Sequence, residues 1–138
     1  MSRKVILASH GELAKGMEHS AKMIAGEFAC EVDTYSLLPG HHPDEFKEII
    51  EKEIINEPEK EFILVTDLYG ASVTTSLFTL TKYENVKMFC GMNLNLVLML
   101  LVEYREPLTE EDINQIITDS QSGMKYLRND IQSDFDDF

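Results

Sequence analysis

Val5-Ile6-Leu7-Ala8-Ser9-His10-Gly11 and Phe62-Ile63-Leu64-Val65-Thr66-Asp67, the second followed shortly by Gly70, decide the fold. Each is a short apolar run that stops at a polar side chain and opens into a glycine-containing turn. Short apolar runs bounded by turn signals read as buried strands. Helical spacing follows each turn. Strands that end in a histidine and a carboxylate and lead through a turn into a helix are the units of an α/β sheet.

The rest of the chain repeats that alternation. Residues 3–9 read as the first strand. Over 12–25, Leu13, Met17, Ala21 and Ile24 recur at helical spacing, and Gly26 is a fitting helix end. Val32 to Leu37 reads as a second strand, and Pro39-Gly40 as a turn. Pro43, with Asp44 and Glu45, suits the first turn of a helix whose buried stripe is Phe46, Ile49, Ile50 and Ile54. The opposite face, Glu48, Glu51, Lys52 and Glu53, reads as solvated, and Pro58 marks the end. After the strand from Phe62 to Asp67, Ser72 is a candidate N-cap for a helix through about Lys82.

Val86 to Gly91 reads as a fourth strand. Asn93 or Asn95 opens an apolar helix through about Tyr104. Thr109 and Asp112 have capping-box spacing, with Leu108 and Ile113 placed as a hydrophobic staple. Ile113, Ile116 and Ile117 form the inner face of that last helix. Met124 to Arg128 reads either as a continuation of the helical stripe or, if Gly123 stops the helix, as a short strand. The expected architecture is a single-domain, three-layer α/β sandwich, a mainly parallel four-stranded sheet with helices on both faces. Residues 1–128 form the expected domain, and 129–138 an acidic mobile tail.

Composition narrows the function. The 138 residues suffice for one domain with a full core. The longest apolar stretch, Leu96 to Val102, is core-sized and too short to cross a membrane. The N-terminus leads straight into a strand with no cleavage signal, so the expected location is cytoplasmic. A net charge of −13 argues against nucleic acid and anionic membranes, and is compatible with steering toward a basic protein partner. Cys30 and Cys90, far apart, read as buried free thiols at strand positions. No zinc spacing joins the histidines and cysteines, so no metal and no cofactor are expected.

In a parallel sheet the ligand site lies at the carboxyl ends of the strands, near a switch in strand order. His10 and Asp67 both stand there. A carboxylate bonded to one ring nitrogen fixes the tautomer, aims the other nitrogen outward and stabilises the cation formed on attack. His10 is therefore read as a residue that accepts and passes on a phosphoryl group, with Asp67 as its orienting partner. The bland alternative is a structural polar residue at a strand end. Backbone N–H groups at the helix starts after Gly11 and after Gly70-Ala71-Ser72, with the Ser72 hydroxyl, are candidate phosphate donors. His19 reads as surface or boundary, and His41-His42 as a turn pair able to cap the helix after Pro43.

Competing motifs fail. There is no Walker A loop and no GxGxxG. Gly70-Ala71-Ser72-Val73-Thr74 lacks the last glycine of a nucleophile elbow, and no histidine follows His42 to complete a hydrolase triad. Ser9-His10 stands where a receiver-type phosphoacceptor would carry an acidic pair.

With these residues assembled, the chain resembles the enzyme IIA component of the mannose family of the bacterial phosphoenolpyruvate:sugar phosphotransferase system. The resemblance covers nearly the whole chain. It rests on Ser9-His10-Gly11, Leu38-Pro39-Gly40, Asp67-Leu68-Tyr69-Gly70-Ala71-Ser72 and Gly91-Met92-Asn93-Leu94. It implies that His10 takes phosphate from the phosphocarrier HPr and hands it to a IIB subunit, which associates with a IIC/IID permease. It implies that Asp67 bonds the other ring nitrogen, and that Ser72 and nearby main chain cradle the phosphate. It implies a homodimer in which Met124 to Arg128 is a fifth strand exchanged onto the neighbour's sheet. Leu68, Val73, Thr75 and Asn95 stand where the family commonly has a hydroxyl residue, proline, asparagine and proline. Two further readings stay open: the phosphotransfer subunit serving dihydroxyacetone kinase, and a regulatory binding module outside transport. The sugar cannot be read, because such a subunit never touches it.

Overall fold

The computed structural model describes residues 2–129. Four strands, β1 (Ser2–His10), β2 (Glu31–Leu37), β3 (Lys60–Thr66) and β4 (Val86–Phe89), form one sheet in the order β2-β1-β3-β4. All three neighbouring pairs are parallel. The chain leaves β1 toward β2 on one side, then returns past it to β3 on the other. The order therefore switches between β1 and β3, and a crevice opens at their carboxyl ends.

Helices cover both faces. α1 (Leu13–Ala25), α4 (Leu94–Leu98) and α5 (Glu110–Ser122) lie on one, and α2 (Asp44–Asn56) and α3 (Ser72–Phe78) on the other. The pleat divides the core accordingly. Val5, Leu7, Ile63 and Val65 join Ala14, Ala21, Leu96, Leu100 and Ile116. Ile6, Ala8, Phe62 and Leu64 join Phe46, Ile50, Ile54, Val73 and Leu77. Burial on both faces is why β1 and β3 read as unbroken apolar runs and not as alternating ones. The expected three-layer α/β sandwich is the fold observed.

Local chemistry sets the helix ends. Thr109 and Asp112 form the expected capping box of α5, each side chain accepting the other's backbone N–H at 3.0 Å. Asn93 is the cap of α4, accepting from Leu96 N–H at 2.8 Å, and its amide donates to the Ser120 carbonyl at 3.0 Å, tying α4 to α5. The chain beyond α4 widens into a π-helical segment, Met99–Glu103. The Arg3 guanidinium donates to the Leu100 and Tyr104 carbonyls there, supplying donors that a helix end lacks. Arg3 is 4% exposed and Glu61, 1% exposed, faces it at 2.8 Å.

Several expectations shift. The inner stripe of α1 is rotated: Ala14 and Ala21 are buried, whereas Leu13 and Ile24 are exposed. Two alanines let the helix lie close to the sheet, and the larger side chains turn outward. Ile49 on α2 and Ile117 on α5 are likewise exposed, and Ile116 alone of its trio is fully buried. The helix from Ser72 ends at Phe78, and Thr79–Lys82 is a 3-10 turn. Ser72 is its first residue and not its cap, which is Ala71. Cys30 and Cys90 are free but half-buried, just outside β2 and β4. Burial still pushes the Cys30 thiol up, which makes it a poor nucleophile. Residues 124–128 are neither helix nor strand, and Met124, Tyr126 and Leu127 are exposed. The acidic tail from 130 onward lies outside the described residues.

Candidate functional site

β1 delivers His10 and β3 delivers Asp67 to the switch-point crevice. Ala8 and Thr66 are partners in the β1–β3 register, so His10 and Asp67 leave adjacent strands side by side. The Asp67 Oδ2 atom accepts from the His10 backbone N–H and sits against His10 Nδ1, each at 2.8 Å. Asp67 Oδ1 accepts from the Leu68 N–H at 2.9 Å. Burial raises the Asp67 carboxyl, but the bonds from the His10 backbone, the His10 ring and Leu68 outweigh it and leave the group below its usual range. Asp67 is thus a carboxylate and accepts only, so Nδ1 of His10 carries the ring proton. The lone pair is on Nε2.

The two side chains differ in access. Asp67 is 7% exposed and His10 46%. The Ser72 hydroxyl lies 3.4 Å from Nε2. Gly11 and Gly70 make the two turns, with φ of 55° and 79°, a region glycine enters without steric penalty. Nε2 therefore faces outward between two short turns, while the opposite side of the ring is held by the Asp67 carboxylate.

The candidate phosphate donors divide. The Gly11 N–H donates to the Leu37 carbonyl at 2.8 Å, and the Ala14 N–H donates to the Ser9 hydroxyl at 2.8 Å. The Gly11 and Ala14 N–H groups are thus engaged within the protein. At the start of α3 the cap, Ala71, makes no side-chain capping bond, its own N–H donates to the Leu68 carbonyl at 3.4 Å, and the first N–H groups of a helix have no partner inside it. Ser72, the first residue of α3, is the one beside Nε2.

Three residues of this site escaped the sequence reading. Ser9 caps α1 from the end of β1. Thr66 and Thr74 are buried, with their hydroxyls 2.6 Å apart, and Thr74 donates to the Leu68 carbonyl. This latch fixes the turn that carries Asp67. The signal was a hydroxyl residue at the end of each apolar strand. Among the residues that depart from the common family pattern, Val73 is buried in the core, whereas Leu68 and Thr75 are exposed. Among the described residues no three potential ligands gather as a metal site, and no helix is long and apolar enough to cross a membrane.

The fold and the family are shared with known proteins. The family model described as "PTS system fructose IIA component" matches residues 4–117. The fold is shared with the PTS IIA protein associated with the fucose utilization operon of Streptococcus pneumoniae. That match has 26% identity and a TM-score of 0.76, covering 91% of this chain and 93% of that one. It is shared with the mannose/sorbose-specific IIA subunit of Enterococcus faecalis, at 21% identity and a TM-score of 0.78, covering 93% and 96%. It is also shared with phosphotransferase system component EIIA of Streptococcus agalactiae, at 22% identity and a TM-score of 0.77, covering 90% and 96%. With an α/β sheet that matches these structures and a family model spanning most of its length, the chain belongs to the fructose/mannose-type IIA components of the phosphotransferase system.

Proposed function

We propose that this protein is a phosphohistidine carrier, taking a phosphoryl group from HPr on His10 Nε2 and passing it to a IIB subunit during sugar uptake. The observation that carries the reading is the His10–Asp67 pair. The proton is held on Nδ1, the lone pair is on Nε2, and only the Nε2 side is open.

In the forward step the Nε2 lone pair attacks phosphorus in line with the bond to the donor nitrogen of HPr. The new N–P bond forms as the old one breaks, and the donor keeps the electron pair. The His10 ring becomes cationic, retains its Nδ1 proton, and is stabilised by the Asp67 carboxylate. Ser72 and the N–H groups at the start of α3 receive the phosphoryl oxygens, a preorganised site for developing charge. Transfer to IIB reverses these roles. The IIB subunit in turn links the carrier to a IIC/IID permease, on the cytoplasmic side of the membrane.

Homodimer formation belongs to the same proposal. β4 pairs on one side only, and an unpaired edge invites another strand. In the segment 124–128, Met124, Tyr126 and Leu127 are exposed, and among the described residues they belong to no strand. Exchange of that segment onto a second copy would satisfy both.

Nitrogen-15 NMR of the phosphorylated protein tests the assignment at atomic level. The expected result is a phosphoryl group on Nε2 of His10 with the proton still on Nδ1. Phosphorylation at Nδ1, or at another residue, would contradict it.

A further inference from the structure

His41 lines the same cleft as His10 and, like it, sets Nδ1 against a carboxylate. The cleft, about 430 Å³, runs from His10 and Gly11 on one wall to Leu37–His41 on the other. The His41 N–H donates to the Leu38 carbonyl at 3.1 Å, closing the Pro39-Gly40 turn. Its Nδ1 lies 3.0 Å from Glu45 Oε2. The Glu45 carboxyl is held below its usual range, first of all by this bond from His41. As a carboxylate it only accepts, so Nδ1 of His41 carries the proton and Nε2 is unprotonated in the neutral ring.

Charge makes this second imidazole matter. Among the described residues the cleft lining contains no lysine or arginine, and the chain carries a net charge of −13. A phosphoryl group adds roughly 1.5 to 2 negative charges at neutral pH. Of the cleft side chains only the two histidines can carry positive charge, and His10 is the residue being phosphorylated.

We propose that His41 is a phosphoryl-binding residue: when His10 is phosphorylated, His41 Nε2 takes a proton from solvent and donates it to a phosphoryl oxygen. This rests on the reading of His10 as the phosphoacceptor. No covalent bond to His41 forms, and its new charge is shared between the phosphoryl group and Glu45. The ionisable groups around His41 are Glu45, on α2, the neighbouring His42 and Asp44, whose ring nitrogen and carboxylate are 3.5 Å apart, and His10 with Asp67 at the other wall. The carboxylates favour the protonated ring and His42 opposes it.

The test compares wild type, His41→Gln and His41→Lys, each phosphorylated by phosphoenolpyruvate, enzyme I and HPr at fixed ratios of phosphoenolpyruvate to pyruvate. The His41 ring nitrogens are followed by nitrogen-15 NMR. In the wild type both His41 nitrogens shift to the imidazolium pattern on phosphorylation. His41→Gln lowers the equilibrium ratio of phosphorylated to free protein several-fold, and His41→Lys restores it. A phosphorylated wild type with an unmoved His41 ring, or an unchanged ratio in His41→Gln, overturns this inference alone. A wild type that takes no phosphoryl group overturns the reading of His10 as well.

Discussion

One oxygen of Asp67 holds His10 at two points, its backbone N–H and its Nδ1, each at 2.8 Å. The first bond fixes where the residue sits, and the second fixes which nitrogen is free. Asp67→Asn keeps the size but removes the charge and lets the amide present a donor to Nδ1. The expected outcome is a fall in the rate of phosphorylation from phospho-HPr of about 10²-fold, the lower end of what a positioned acid–base partner contributes. Rapid-quench kinetics on the folded variant measure it, and a rate equal to wild type would sever Asp67 from the chemistry.

The same pair shapes the acid limb of stability. Burial pushes Asp67 up, but three hydrogen bonds bring it below its usual range. Its contribution is therefore complete above the unfolded value of about 3.9, and is lost as pH falls through the lower folded value. Urea midpoints of the wild type should fall more steeply below about pH 4 than those of Asp67→Asn. Parallel curves would place the stabilising charge elsewhere.

At the other end of the sheet, Glu61 receives Arg3 Nε, Lys87 Nζ and the Leu108 N–H, each at 2.8 Å. Glu61→Ala strands a buried guanidinium and should destabilise by about 3–5 kcal/mol. Combining Arg3→Met with Glu61→Leu should recover part of that loss, because the stranded guanidinium is gone, while the Leu108 N–H and the Leu100 and Tyr104 carbonyls still lose their partners. Chemical denaturation of the single and double variants reads both numbers.

Thr74→Val breaks the latch between Thr66 and the Leu68 carbonyl. The buried Thr66 hydroxyl loses its partner, at a cost of about 1–3 kcal/mol. Because the latch holds the Asp67 turn, phosphorylation should also slow, whereas Thr75→Val on the exposed side should leave both unchanged. Equal behaviour of the two variants would remove the latch from the account.

How far the residues announced this arrangement depends on range. His10 and Asp67 were legible because each ends an apolar run before a glycine turn, a local signal. The capping box of α5 was legible for the same reason. The facing of α1 was legible in part: Met17 and Ala21 face the core as read, whereas Leu13 and Ile24 are exposed and Ala14 takes the buried position. The Arg3–Glu61 pair spans 58 positions, and nothing local marks a buried charge partner so distant. The reading began β3 at Phe62 and missed that Lys60 and Glu61 extend it. The π-helical turn after α4 carried no sequence signal, since its carbonyls are answered by Arg3 from another strand. The Gly11 N–H bonds the Leu37 carbonyl on a neighbouring strand, a contact that nothing local marks. The 124–128 segment could be read either way and adopts neither form.

Removing residues 124–138 should convert the proposed dimer to a monomer. Sedimentation velocity of the full and shortened chains decides it. A full-length monomer at tens of micromolar would contradict strand exchange.

The central claim is that His10 carries the phosphoryl group. Intact mass after incubation with phosphoenolpyruvate, enzyme I and HPr tests it most directly, in the wild type and in His10→Ala. The account requires one acid-labile phosphoryl group on the wild type and none on the variant. A folded wild type that gains no mass from an active HPr of the same source, or a His10→Ala that gains it equally, would contradict it.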